Sequence, residues 1–334
     1  MVWLISLTTM IFLIIVIGGL TRLTDSGLSM VDWRPILGII PPLNNNQWIG
    51  VFEEYKLSPE FLYVNKNMTL EDFKYIFWWE WFHRFFARLI GIVFMVPFFY
   101  FLYKKYLNDY FYKRFAIIFP LGLFQAFIGW WMIKSGLVNY PYVSPYRLTF
   151  HLTNAVIIYS FLLWTCIEYY HLKNVRFISF FKTQEFWIFI SIIFVFITIM
   201  SGGCMAGSHA GQSFNTYPLM NGKIIPDDIY LEDLGIFNAF ENTVTINFIH
   251  RWLATFTFIY TFSLFTYLIF NKFIKLSNII IISVLLALTL QFILGIMALL
   301  SNVAIQYGSL HQANSIVLLS LLLFAYFKSK LKGV

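Results

Sequence analysis

Eight runs of roughly 20 apolar residues, the length that crosses a hydrocarbon core, leave this chain few ways to fold. They lie at 2–20, 78–103, 115–134, 148–170, 185–203, 246–270, 277–300 and 307–327. With 59% of its 334 residues hydrophobic and 12% charged, a soluble domain could not hide so much apolar surface. Lipid must therefore be the solvent for most of the chain. Residues 1–20 have neither a basic leading region nor an A-x-A cleavage site, so they read as the first span and not as a removable signal.

The basic residues orient the spans. Segments 104–114, 171–184, 271–276 and 328–334 hold 12 of the 23 Lys and Arg, and these segments alternate with loops of the other side. The positive-inside rule puts them in the cytoplasm, or in the matrix of a mitochondrion. Both termini are then inside and loops 21–77 and 204–245 outside. The expected location is the inner (plasma) membrane, or the mitochondrial inner membrane in a eukaryote. The net charge of +7 reports this topology and gives no ground for a nucleic-acid partner.

The chain is also an internal repeat. His83-Arg84-Phe85 in the second span returns as His250-Arg251-Trp252 in the sixth. Gln125 and Gly129 in the third return as Gln291 and Gly295 in the seventh, and His151-Leu152-Thr153-Asn154 opens the fourth span as His311-Gln312-Ala313-Asn314 opens the eighth. Gly18-Gly19 to Gly27 matches Gly202-Gly203 to Gly211, and first His to Gln spans 42 residues in one half and 41 in the other. Four spans per half make the halves parallel. The predicted fold is an all-α polytopic membrane protein of two pseudo-twofold-related four-helix bundles, 1–182 and 183–334.

The four repeated histidines fall near the outer ends of their spans, and the two of each half are separated by one intervening span. Ionisable residues at membrane depth are costly and point to function. Two facing imidazoles without Cys, Asp or Glu to complete a tetrahedron suit a six-coordinate haem iron better than zinc, and no C-x-x-C-H marks covalent attachment. The metal-ligand candidates are therefore His83 with His151 and His250 with His311. His171 and His209 have no histidine counterpart and read as structural.

Arg84, Arg88 and Arg251 follow the ligands and are candidate propionate contacts, with snorkelling to headgroups as the alternative. Asn154, Asn314, Gln125 and Gln291 read as helix–helix glue. Glu80 sits one turn before His83 among Trp78, Trp79 and Trp81, while the matching residue before His250 is Asn247. Glu80 is a candidate proton acceptor, or else an ion-pair partner of Arg84 or Arg88. Asn247 suggests that a neutral amide fits the same position.

At these residues the chain resembles the haem A synthase family, in its alphaproteobacterial and mitochondrial branch. The matching stretches are Gly18-Gly19-Leu20-Thr21-Arg22-Leu23-Thr24 with Ser26-Gly27-Leu28-Ser29, and Trp33-Arg34-Pro35 with Pro41-Pro42-Leu43. Further matches are Trp79-Glu80-Trp81-Phe82-His83-Arg84, Gly129-Trp130-Trp131-Met132, Phe214-Asn215-Thr216-Tyr217-Pro218, His250-Arg251 and His311-Gln312-Ala313-Asn314. The resemblance implies oxidation of a ring methyl of haem O, through an alcohol, to the formyl group of haem A, which supplies cytochrome c oxidase. It implies that His83 and His151 flank the substrate haem with Glu80 as the catalytic carboxylate. His250 and His311 would ligate a resident haem b that passes electrons. An electron donor, haem O synthase and oxidase assembly factors are the implied partners. Some bacterial members carry a cysteine pair in the outer loops. Here the cysteines are Cys166 and Cys204, too far apart along their spans to be bridged. A dihaem electron-transfer cytochrome and a haem exporter are the rival functions, and the pigments extracted from the protein separate all three.

Overall fold

A computed structural model describes residues 1–32, 37–137, 141–171, 183–271 and 276–330. Trp33-Arg34-Pro35 and the basic residues Lys173, Arg176, Lys182, Lys272, Lys275 and Lys332 lie outside them. All eight expected spans are helices long and apolar enough to cross a membrane. They are α1 (Val2–Leu23), α4 (Leu70–Tyr103), α5 (Asp109–Gly136), α6 (Pro145–His171), α7 (Thr183–Gly207), α9 (Thr243–Phe270), α10 (Asn278–Leu300) and α11 (Ile305–Ser329). Ile92, Val96, Leu123, Phe127, Ile259 and Leu286 stay exposed on their flanks, the condition expected of side chains that meet lipid.

Among the described residues, three further α-helices lie in the loops: α2 (Asn45–Lys56), α3 (Pro59–Tyr63) and α8 (Asn238–Glu241). Asn44 caps α2 by accepting from the Gln47 N–H, and Ser58 caps α3 with Pro59 in its first turn. Trp48, Phe52 and Tyr55 recur at i, i+4 and i+7 along α2 and bury one face. α4 begins eight residues before the apolar run predicts, because Thr69 and Asp72 close a capping box. The added turns present Phe73, Ile76 and Phe77, which pack with Trp48, Phe52 and Tyr55 into an aromatic layer. Trp48 meets Phe77 edge-on with ring centres 5.0 Å apart.

By its contacts the chain forms two compact units, residues 9–158 and residues 1–8 with 159–334. The aromatic layer belongs to the first. In the second, Phe265, Ile281, Val284, Leu288, Ile316 and Leu322 are fully buried between helices. Trp164 packs edge-on against Phe327, and Lys328 Nζ donates to His171 Nε2 at 2.9 Å. His171 is a structural residue, as expected. No disulfide joins Cys166 and Cys204.

Candidate functional site

Each of the four repeated histidines lies against a glycine of another helix. A Cβ placed on Gly18 of α1 would meet His83 Cε1 at 3.1 Å, and one on Gly129 of α5 would meet His151 Cε1 at 3.1 Å. The matching distances are 3.4 Å from Gly202 of α7 to His250 and 2.9 Å from Gly295 of α10 to His311. The repeated glycines are therefore where the rings approach backbone closely, most tightly at Gly295 and least at Gly202. The contact runs along the Cε1–Nδ1 edge: at His311, Nδ1 is 3.3 Å and Nε2 3.7 Å from the added carbon, and at His151 they are 3.6 and 4.0 Å. At His83, His151 and His311, Nε2 is left as the nitrogen farther from the backbone.

Hydrogen bonds behind the rings repeat as well. Gln125 Nε2 lies 3.3 Å from both ring nitrogens of His151, and its Oε1 accepts from Asn154 at 2.8 Å. Gln291 Nε2 lies 3.2 and 3.4 Å from Nδ1 and Nε2 of His311, and its Oε1 accepts from Asn314 at 2.9 Å. Asn154 also donates to the Leu121 carbonyl and Asn314 to that of Ala287, so both do tie helices together. The sequence reading missed that the glutamines reach the histidines. It also missed Ser201, whose Oγ is 2.7 Å from His250 Nδ1.

Glu80 is 2% exposed. Its Oε1 pairs with Arg84, and its Oε2 accepts from the Ser29 hydroxyl at 2.7 Å and the Met30 N–H at 2.6 Å. Arg84 also donates to the Met30 carbonyl. Helix α4 is thereby latched to the segment that follows α1. The second half builds the same latch without a carboxylate. Asn247 accepts from Arg251 Nε at 2.6 Å and donates to the Ala210 carbonyl at 2.6 Å, while Arg251 donates to the carbonyls of Phe214 and Thr216. Asn247 therefore does not show that an amide suits position 80. Its –NH2 faces a carbonyl, whereas Glu80 Oε2 faces an N–H and a hydroxyl. Arg88 is half-buried one turn beyond Arg84. His209 and its counterpart Asp25 both take a left-handed backbone, with φ of 55° and 47°, where the chain leaves α7 and α1.

A haem held by two imidazoles needs each ring fixed along one edge with its other nitrogen clear. The glycine contacts hold each ring at Cε1, with Nδ1 the nearer nitrogen at His83, His151 and His311, while the Gln125 and Gln291 amides also reach Nε2 of His151 and His311. His83 Nδ1 is in addition buried with no hydrogen-bond partner among the described residues. Among the described residues no group of three or more His, Cys, Asp or Glu is placed to hold a metal, so each pair stands without a third such ligand. The four residues fit two bis-imidazole haem sites and do not fit tetrahedral zinc.

The family described as cytochrome oxidase assembly protein (COX15-CtaA) matches residues 1–323. The chain belongs to that family. A protein named haem A synthase from Nitrosomonas eutropha is 40% identical over 324 residues, covering 95% of this chain and 90% of its own length. Haem A synthase COX15 of Arabidopsis thaliana is 42% identical over 335 residues, covering 96% of this chain and 72% of its own. A haem A synthase of the Wolbachia of Brugia malayi is 37% identical over 317 residues, covering 95% and 92%.

Proposed function

We propose that the protein is an oxidoreductase that converts haem O to haem A for cytochrome c oxidase, with His83 and His151 holding the substrate and His250 and His311 a resident haem b. The observation that carries this is the fourfold histidine–glycine contact, which seats all four imidazoles at Cε1 against the backbone of a neighbouring helix. It joins a chain-long match to relatives named haem A synthase. The proposed frame has two pseudo-twofold-related halves, 1–182 and 183–334, with both termini on the basic side of the membrane. Haem O, an electron donor and assembly factors of the oxidase are the proposed partners.

Turning a ring methyl into a formyl group inserts one oxygen atom and is a four-electron oxidation; written with water it is –CH3 + H2O → –CHO + 4 H⁺ + 4 e⁻, and an external oxidant must take up the electrons. The resident haem b, when bound, supplies one-electron chemistry. The protein must orient the methyl, admit the oxygen source and accept protons. Glu80, one turn from His83 and in the half assigned to the substrate, is the proposed acceptor, held in place by Ser29, Met30 and Arg84. A second reading has a specific observation in its favour. The same contacts make Glu80 a latch, as Asn247 is in the other half. Arg84, Arg88 and Arg251 remain proposed propionate contacts, although Arg251 already donates three bonds within the protein.

Pigment extraction tests the reaction: haem O, haem A or the hydroxylated intermediate should accompany haem b. His250→Ala or His311→Ala should abolish the low-spin haem b spectrum by removing an axial ligand. A full six-coordinate spectrum in both variants would remove this half as the cofactor site.

A further inference from the structure

We propose that hydrogen bonds behind the histidines decide which imidazole pair keeps its haem, and that Ser201 is the positioning residue for retention. The inference rests on the two haem sites proposed above.

In the second half both rings have a fixed proton. The Ser201 hydroxyl donates to the Thr198 carbonyl at 2.8 Å, so the lone pairs of Oγ face His250 Nδ1 at 2.7 Å, and that nitrogen must carry the hydrogen. His311 Nδ1 lies 3.1 Å from the Gln291 carbonyl, which can only accept, so it too is the protonated nitrogen. Each Nε2 then carries the lone pair, which at His311 faces the Gln291 amide nitrogen at 3.4 Å.

The first half lacks both devices. Ser201 precedes Gly202, which touches His250; the residue preceding Gly18, which touches His83, is Ile17. An isoleucine offers no acceptor, and His83 Nδ1 is buried without a partner among the described residues. His151 faces Gln125 Nε2 from both ring nitrogens at 3.3 Å. That amide nitrogen is a donor, and it also points at the His151 carbonyl at 3.1 Å, so it selects neither tautomer.

An imidazole that donates its second N–H is a stronger ligand with a fixed ring, and loss of such a partner costs roughly 10–100-fold in metal affinity. The two pairs are therefore unequal: one grips and one exchanges. A catalyst that discharges a haem product while keeping a haem cofactor needs that inequality.

The test uses the full-length, haem-loaded protein in detergent, mixed with excess apomyoglobin, with haem transfer followed by absorbance. Wild type should lose haem in a fast and a slow phase. Ser201→Ala, which keeps a good helix former in α7, should accelerate the slow phase by about 10–100-fold. Ile17→Ser should slow the fast phase by about tenfold. His250→Ala separates two kinds of failure. A slow phase that survives His250→Ala overturns the site assignment itself. A slow phase that His250→Ala removes but Ser201→Ala leaves unchanged overturns this inference alone.

Discussion

A methyl group on Gly295 would stand 2.9 Å from His311 Cε1, a distance at which the ring or the helix must move. The corresponding contact at Gly202 is 3.4 Å, which a slight shift absorbs. Alanine at Gly295 should therefore cost most of the haem of its half, alanine at Gly18 or Gly129 less, and alanine at Gly202 least. Haem content per protein for the four variants gives this ranking directly, and a flat series would deny that the glycines seat the rings. Position 80 admits a sharper comparison. Glu80→Gln removes the titratable group but also turns an –NH2 toward the Met30 N–H, leaving a buried donor unpaired at about 1–3 kcal/mol. Ser29→Ala removes one latch bond and leaves the carboxylate. If Glu80 accepts protons, Glu80→Gln should lower haem A formation by ~10²–10⁴ while Ser29→Ala retains most of it. Equal losses, with haem lost from the first half in both, would mark Glu80 as a latch. The histidines stand out in the sequence because duplication prints each of them twice, and Glu80 because its counterpart, Asn247, breaks the repeat. Ser201 was not, since a serine ahead of two glycines in a transmembrane helix reads as packing, and its partner in the repeat is an isoleucine.

Among the elements, α2 and α3 carry a lesson about loops. Their signals stand in the sequence: Asn44 and Ser58-Pro59 as helix starts, and Trp48, Phe52 and Tyr55 along one face. They were missed because hydropathy separates membrane from water and says nothing of structure on the wet side. The capping box at Thr69 and Asp72, which lengthens α4 to receive them, was equally readable. Within this layer Glu60 of α3 is buried and accepts from the Tyr55 hydroxyl at 2.9 Å. Burial first, then the negative charges of Glu80 and Asp25, push its carboxyl from an ordinary 4.5 up to about 8, against the lowering influence of Tyr55 and Arg22. Between those values the folded layer binds a proton that the unfolded one releases. Its contribution to stability is thus complete below about 4.5 and is lost as the pH rises through about 8. Proteolytic nicking within 45–63, measured on protein in nanodiscs, should increase from pH 5 to pH 9. Glu60→Gln should flatten that dependence, and an unchanged slope would place its cause elsewhere.

For the whole molecule, the apolar runs gave all eight spans because length and composition alone decide what can cross a bilayer. The local repeat is visible at atomic level in the glycine seats, the glutamine–histidine–asparagine contacts and the arginine latches. Orientation rests on charge, and it makes a direct prediction. Asn108, beside the basic segment after α4, and Asn221, in the loop after α7, should report opposite compartments when fused to topology reporters. Agreement between the two would dismantle the eight-span arrangement.

The glycine seats also have a genetic consequence. Glycine is the one residue without a Cβ, so every missense change in the codons for Gly18, Gly129 and Gly295, whichever base is altered, puts at least a carbon atom 2.9–3.1 Å from an imidazole. No substitution at those three positions is conservative. Gly202, with its looser contact, is the one seat where drift to alanine can persist.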